Sequence, residues 1–333
     1  MNKLNLVSGT RPTGKLHLGH YFGVLRNWQE LQDSDKYNCF FFIADWHSLT
    51  TKYSDTNDLQ SNIVELTRDF LACGLNPNKS TIYVQSAIKQ ISELHLLLSM
   101  ITPNNWAERD PTLKDLVRAA NNSQTNSPDL TYGMLGYPIL QSADILTFQG
   151  SLVPIGKDQE AHLELSREIA RRFNYIFGIE FFPEPKPLFT TTPLVPGIDG
   201  DKMSKSYNND IKIAASGDDT FAEVKKMVTD AERAKRQDPG NTERCKVPYP
   251  YYKILAEAEV LEQVKQECES ALRGCVDCKK QLAGIMNDFF KPIREKRNSF
   301  SDQEIKNILK EGNEKAIEKA EQTLKEVRNI IKI

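Results

Sequence analysis

Apolar and polar positions alternate between two rhythms along the first 190 residues. Leu4–Ser8 reads as a short strand running into a turn-rich stretch, Gly9-Thr10-Arg11-Pro12-Thr13-Gly14. Val24, Leu25, Trp28 and Leu31 then repeat at helical spacing. The nearly unbroken apolar run Cys39–Ala44 has the look of a strand buried on both faces, as parallel sheets require. A helical pattern over 57–73 leads to a third strand, Thr81–Gln85, and further helices are predicted over Ile91–Met100 and Tyr137–Phe148. Alternation of this kind predicts a doubly wound α/β domain over 1–206, with its ligand site at the carboxyl ends of the strands.

Beyond Ser206 the strand signal fades. Phe221–Lys235, Tyr251–Glu269, Lys279–Arg297 and Ser301–Ile330 carry helical spacing, so 207–333 is expected to be an all-helical domain. The last segment is highly charged and reads as a solvated helix pair, its final helix being a candidate to pack back on the first domain. Asn121–Pro128 reads as a polar loop.

Composition narrows the field. The 333 residues suit about two domains, and 43 Lys+Arg against 45 Asp+Glu leave a net charge of −2, which excludes a generic basic DNA-coating protein. The apolar runs stay far below the ~18 residues of a membrane span. Met1-Asn2-Lys3-Leu4-Asn5 lacks the apolar core of a signal peptide, so a cytoplasmic protein is expected, whose six cysteines act as thiols or metal ligands rather than disulfides.

Two segments carry nucleotide chemistry. His17-Leu18-Gly19-His20 opens a helix just beyond the first strand, where N–H groups and the helix dipole favour phosphate and two imidazoles can donate to its oxygens. Lys202-Met203-Ser204-Lys205-Ser206 follows the hinge-like Leu194-Val195-Pro196-Gly197-Ile198-Asp199-Gly200, and its cations can follow charge onto departing pyrophosphate. Each alone reads equally well as an ordinary surface turn; together they do not. Four of the cysteines, Cys245, Cys268, Cys275 and Cys278, are spaced C-x22-C-x6-C-x2-C. Their closing C-x-x-C behind Gly274 predicts a metal site, with Zn²⁺ and an iron–sulfur cluster both open on softness alone.

HLGH and KMSKS, with Ser8–Gly14, Tyr137-Pro138 through Ser142-Ala143-Asp144-Ile145-Leu146 and Gly156-Lys157-Asp158-Gln159, make the chain resemble the class I aminoacyl-tRNA synthetases, and among them the bacterial-type tryptophanyl-tRNA synthetases. The resemblance implies a Rossmann-like catalytic domain and a helical anticodon-binding domain. It implies activation of tryptophan by ATP with Mg²⁺, transfer to the 3′ end of tRNA(Trp), and a homodimer. It implies that Asp144 accepts the indole N–H and that Tyr137 and Gln159 hold the α-amino group, with His47 nearby. Arg11, Pro12, Thr13, Gly19 and His20 would line one side of ATP and Gly156, Lys157 and Asp158 its adenosine end, while His17, His20, Lys202 and Lys205, together with Met203, Ser204 and Ser206, would serve the phosphates. It also tips the cysteines toward a [4Fe-4S] cluster over zinc.

The buried-carboxylate logic stands beside this: a lone Asp144 among Ile139, Leu140, Ile145 and Leu146 is costly unless something donates to it. Tyrosyl-tRNA synthetase is the nearest rival, disfavoured by the Asp144 context, GKDQ and the cysteines. A nucleotidylyltransferase without tRNA is disfavoured by KMSKS and the helical tail. Basic residues gather near the cysteines, seven in 273–297 against three acids, and suggest contact with tRNA phosphates.

Overall fold

The computed structural model describes residues 3–109, 131–156, 160–189, 195–230, 232–233 and 235–333; the loop expected at Asn121–Pro128 lies outside them. Five parallel strands, β1 (Leu4–Thr10), β2 (Tyr37–Ile43), β3 (Ser80–Val84), β4 (Leu152–Ile155) and β5 (Lys186–Phe189), form a sheet in the order β3-β2-β1-β4-β5. β1 and β2 pair from Leu4↔Tyr37 to Thr10↔Ile43, whereas β1 meets β4 only at Leu6↔Leu152. The chain winds outward on one side through β2 and β3, then crosses to β4 and β5 on the other. The reversal leaves a crevice at the carboxyl ends of β1 and β4, where open α/β sheets bind their ligands.

The unbroken apolar run of β2 feeds two cores. Cys39, Phe41 and Ile43 face one layer, and Phe40 and Phe42 face the other. Trp28 stacks flat on Phe41 with ring centroids 4.6 Å apart. On the first face lie α1 (Leu18–His20), the π-helical Tyr21–Leu25, α2 (Arg26–Asp33) and α4 (Leu59–Ala72). α3 (Asp45–Lys52) follows β2 directly, and the hydrophobic rhythm does not announce it. The second face takes α5 (Lys89–Ile101), α7 (Tyr132–Thr147) and α8 (Glu160–Phe177), with the short α6 (Asn104–Ala107) after α5.

The helical part departs from its expected boundaries. Ser216 accepts the Asp219 N–H and so starts α9 at Gly217; the helix stops at Lys226, nine residues short of the expected end, where Met227 turns extended. The helix expected over Tyr251–Glu269 is two, α10 (Tyr249–Leu255) and α11 (Ala258–Glu269), separated by extended backbone at Ala256 and Glu257. The break lets α10 bury Tyr251 and Tyr252, whose hydroxyls donate to the carbonyls of Pro196 and Cys278. α12 (Cys275–Ser299) begins at the C-x-x-C.

The last segment is no solvated helix pair. It is one 30-residue helix, α13 (Asp302–Ile331), opened by a reciprocal Ser301–Glu304 cap. Ile305 and Leu309 enter the first core, and Ala316, Ala320, Leu324 and Val327 enter the second. In crossing between them α13 covers the edge of β3, where Asn313 Oδ1 accepts the Val84 N–H at 2.9 Å. Among the described residues no helix is long and apolar enough to cross a membrane.

Candidate active site

The crevice between β1 and β4 holds a cavity of about 430 Å³. Ser8, Gly9, Thr10 and Arg11 from β1 and its turn wall one side; Val153, Ile155 and Gly156 from β4 wall the other. Trp28, Phe42 and Met134 supply apolar surface, while His47, Tyr137, Gln141, Asp144 and His162 supply polar groups. Gly9 serves packing before any ligand: a Cβ there would lie 2.5 Å from the Phe42 ring.

Asp144 is fully buried on α7 yet reaches the cavity wall. Burial holds its carboxyl above the usual carboxylate range, opposed by hydrogen bonds from His47 and Gln85. His47 Nε2 lies 2.9 Å from Asp144 Oδ2. Gln85 Nε2 donates to Oδ1 at 2.8 Å and Oδ2 at 2.9 Å. The structure thus brings together Asp144 and His47, and Tyr137 lines the same cavity with its hydroxyl 3.5 Å from His162 Nδ1. Gln159, Lys157 and Asp158 lie outside the described residues. Gln85 and His162 were missed in the sequence. The signal for Gln85 was available: it is a polar residue set directly at the carboxyl end of a strand.

The two signature segments meet. Lys205 Nζ donates to the carbonyls of Thr13 at 3.2 Å and Gly14 at 3.0 Å, so KMSKS is docked on the Arg11–Gly14 turn. The HLGH turn is laced to the strand-like segment after KMSKS, with Leu18 N–H donating to Ile211 O and Ile213 N–H to Leu16 O. The free N–H groups expected at this helix start are therefore partly taken. Leu18 has a backbone partner, and Gly19 N–H points at Met203 Sδ, 3.4 Å away, a weak acceptor that phosphate oxygen outcompetes. Gly19 is small because His17 needs the room: a Cβ would press the imidazole at 3.0 Å.

The His17 and His20 rings lie against each other, centroids 3.7 Å apart and planes tilted by 45°. Desolvation first, then neighbouring positive charge, lowers His20 to about 3; desolvation lowers His17 to about 4. Both are neutral near pH 7. His20 Nδ1 accepts the His17 backbone N–H at 3.3 Å, so its own proton sits on Nε2, ready to donate. Lys205, desolvated against the turn and near Lys212, falls to about 8. Lys202 stays exposed, Met203 is buried, and Ser206 sits in the one-turn helix Lys205–Tyr207. A further residue missed in the sequence, Asn209, holds the loop: its Oδ1 accepts the Ser204 N–H at 2.7 Å while its Nδ2 donates to Asp199 and to Lys202 O. Nothing in the Asn-Asn pair at 208–209 singled it out. Arg11 is exposed, with Nη1 3.5 Å from Thr51 Oγ1, and Pro12 and Thr13 line a small hollow beside Lys52 and Asp58.

Cys245, Cys268 at the end of α11, and Cys275 and Cys278 at the start of α12 lie near enough to influence one another's charge. Burial raises the thiols of Cys245, Cys268 and Cys278, and mutual repulsion within the set adds to it. The Tyr249 backbone and the Tyr252 hydroxyl hydrogen-bond to the thiols of Cys245 and Cys278. The donor chemistry, four thiols in one electrostatic neighbourhood, fits a soft centre. Among the described residues, however, no three His, Cys, Asp or Glu side chains are grouped closely enough to hold a single ion. Cys39 and Cys73 are core residues. The basic stretch 273–297 is less free than its count suggested. Arg273 pairs with Glu267 and Gln281, Lys279 donates to the carbonyls of Lys225 and Met227, Arg294 binds Thr220 and Asn287, and Arg297 binds Glu65 and Asp69. Lys280, Lys291 and Lys296 remain exposed.

Residues 1–291 match the family described as tRNA synthetases class I (W and Y). The tryptophan–tRNA ligase of Thermotoga maritima is 44% identical over 333 residues, covering 99% of both chains. That of Aquifex aeolicus is 40% identical over 398 aligned residues, covering 99% of this chain and 100% of the other. The crystal structure of tryptophanyl-tRNA synthetase from Campylobacter jejuni, complexed with ADP and tryptophan, superposes with a TM-score of 0.88 at 32% identity, covering 99% of this chain and 100% of that one.

Proposed function

Because this chain belongs to the class I tRNA synthetases of the W and Y family, and within it to the bacterial-type tryptophan–tRNA ligases, we propose that the crevice between β1 and β4 is the site of both half-reactions. The enzyme joins L-tryptophan to ATP, giving tryptophanyl-adenylate and pyrophosphate, and then transfers the tryptophanyl group to tRNA(Trp). In the first step a carboxylate oxygen of tryptophan attacks the α-phosphorus in line. A carboxyl–phosphorus bond forms as the bond to the β-phosphate oxygen breaks, and pyrophosphate leaves with the electron pair. In the second, a hydroxyl of the terminal adenosine, the 2′-OH in class I chemistry, attacks the acyl carbon and AMP departs. Neither step needs a strong base from the protein, so positioning and charge stabilisation carry the rate.

In this reading Asp144 accepts the indole N–H, and Tyr137 and Gln159 hold the ammonium. Gly156, Lys157 and Asp158 receive the adenosine of ATP, which enters with Mg²⁺. Arg11, Pro12, Thr13, Gly19 and His20 line the other side of ATP, and His17, His20, Lys202 and Lys205 stabilise the transition state, with Met203, Ser204 and Ser206 shaping the loop. What supports the reading most is the carboxylate of Asp144, fully buried at the wall of a mostly apolar cavity with donors on both oxygens. The Campylobacter complex, with a nucleotide and tryptophan in one protein, agrees with a shared cleft. Residues 1–206 would form the catalytic domain and 207–333 the anticodon-binding one, with the homodimer that the family resemblance implies.

Cys245, Cys268, Cys275 and Cys278 would hold a [4Fe-4S] cluster, with Zn²⁺ as the alternative, acting as a structural staple beside the anticodon-reading surface. The four-thiol donor set and its C-x22-C-x6-C-x2-C spacing support a soft centre; the preference for iron comes from the resemblance. The decisive test of the cavity is Asp144→Ala, which leaves no side-chain acceptor, in tryptophan-dependent ATP–pyrophosphate exchange. Replacing the acceptor should lower kcat/KM for tryptophan by about 100-fold or more and erode the preference over phenylalanine. Unchanged preference would remove Asp144 from the indole contact.

A further inference from the structure

Gln85 is the first residue beyond β3, and none of its surface is exposed. Its side chain bonds in two opposite directions. Oε1 accepts the backbone N–H groups of Trp46 at 3.1 Å and His47 at 3.4 Å, in the first turn of α3, where a helix leaves its N–H groups without partners. Nε2 reaches both oxygens of Asp144, at 2.8 and 2.9 Å. A carboxamide has one accepting end and one donating end, so the α3 N–H groups fix which end meets Asp144. Turning the amide over would set buried N–H against buried N–H.

The other partner of Asp144 has no such constraint. His47 Nε2, 2.9 Å from Oδ2, donates or accepts according to its tautomer. A protonated Asp144 facing an accepting imidazole is therefore compatible with His47. The amide, locked to donate to both oxygens, is instead served best by the ionised carboxylate, whose two oxygens both accept strongly. We infer that Gln85 is a positioning residue for tryptophan selection, which aligns Asp144 and holds it as an acceptor, so that the cavity takes a ring bearing an N–H donor and penalises one without. The inference rests on the reading of Asp144 as the indole partner. It adds a residue that never touches substrate and acts through that carboxylate.

Gln85→Glu keeps the shape and the acceptor toward α3 but sets a carboxyl against Asp144. Two carboxylates in contact share a proton, so the variant donates at low pH and repels at high pH. The other titratable groups facing Asp144 are His47 from α3, His95 from α5 and Tyr83 from β3, all present in the parent as well.

The test is tryptophan-dependent ATP–pyrophosphate exchange by the full chain between about pH 6 and about pH 8.5, with Gln85→Glu, Gln85→Met and Asp144→Ala compared. Gln85→Met should raise KM for tryptophan about 10- to 100-fold and lower the preference over phenylalanine by about tenfold, with KM for ATP within about twofold. Gln85→Glu should match the parent at the acid end, and its tryptophan KM should climb about tenfold or more toward the alkaline end. A pH-independent Gln85→Glu with parental KM and selectivity would overturn the inference, as would losses shared equally by tryptophan and ATP. Should Asp144→Ala, which has no side-chain acceptor, itself keep full selectivity, the indole contact has failed; should only the Gln85 variants keep it, the contact stands and the role of Gln85 falls.

Discussion

Lys205 shows how one side chain ties the signature segments to a measurable pH dependence. Its ammonium is held between two carbonyls of the Arg11–Gly14 turn, and burial, with Lys212 nearby, lowers its pKa to about 8. The group is charged below that value and neutral above it. A stabiliser of phosphate charge must be cationic, so kcat/KM for ATP, which reports the free enzyme, should fall up to ~tenfold per pH unit above about pH 8. Lys205→Arg, charged throughout, should lose that limb even if its rate is lower. An alkaline limb that survives the substitution belongs to another group. The motif's identity was legible from its letters, as was that of HLGH. Its state was not: that both histidines are neutral depends on how deeply the turn is buried under Met203 and Ile211, which spacing cannot reveal. Asn209, which holds the loop by hydrogen bonds to Ser204, Asp199 and Lys202, is invisible for the same reason, since its importance lies wholly in partners brought to it by folding.

Among the elements, α13 is where periodicity was read least well. Its run Lys310-Glu311-Gly312-Asn313-Glu314-Lys315 has the composition of a solvated break, and glycine in a helix interior costs roughly 1 kcal/mol against alanine. The helix continues because Gly312 is the point of closest approach to β3: a Cβ there would lie 1.8 Å from the Ile82 carbonyl oxygen. A neighbouring helix supplies the control. Gly284 of α12 is exposed, and a methyl group added there would meet nothing within 4 Å. Gly312→Ala should therefore destabilise by about 1–3 kcal/mol as α13 is pushed from the sheet edge, while Gly284→Ala should stabilise by about 0.5–1 kcal/mol. Denaturant midpoints at unchanged slope decide this, and equal shifts in the two variants would refute the close packing. The strands, by contrast, were readable because β2 feeds two cores at once and so needs an apolar residue at nearly every position. α3 was unreadable because it follows β2 without a polar interruption.

At the scale of the whole molecule, α12 joins the cysteines to the turn that carries His17 and His20. Its 25 residues span roughly 37 Å, from Cys275 and Cys278 at its start to Arg294 and Arg297 in its last turns. Arg297 Nε donates to Asp69 Oδ1 at 2.7 Å, and Asp69 Oδ2 accepts the N–H of Leu16, the residue before His17. Glu65, Arg68 and Asp302 extend the network to the start of α13. This anchoring is independent of the thiols, because it is made of ion pairs and packing at the far end of the rod. If the four cysteines hold the proposed metal centre, its loss should loosen the cysteine end while leaving the end that carries His17 in place. Full-length protein purified without oxygen is expected to carry about four irons with matching sulfide per chain, and Cys275→Ser to lose them. In that variant tRNA charging at limiting tRNA should fall about tenfold, near 1.4 kcal/mol, with ATP–pyrophosphate exchange within about twofold of the parent. One zinc per colourless chain would replace the cluster by a zinc staple and leave the ligase activity as it stands. Equal loss of exchange and charging would mean instead that α12 transmits the state of the thiols through Arg297 and Asp69 to the turn that carries His17.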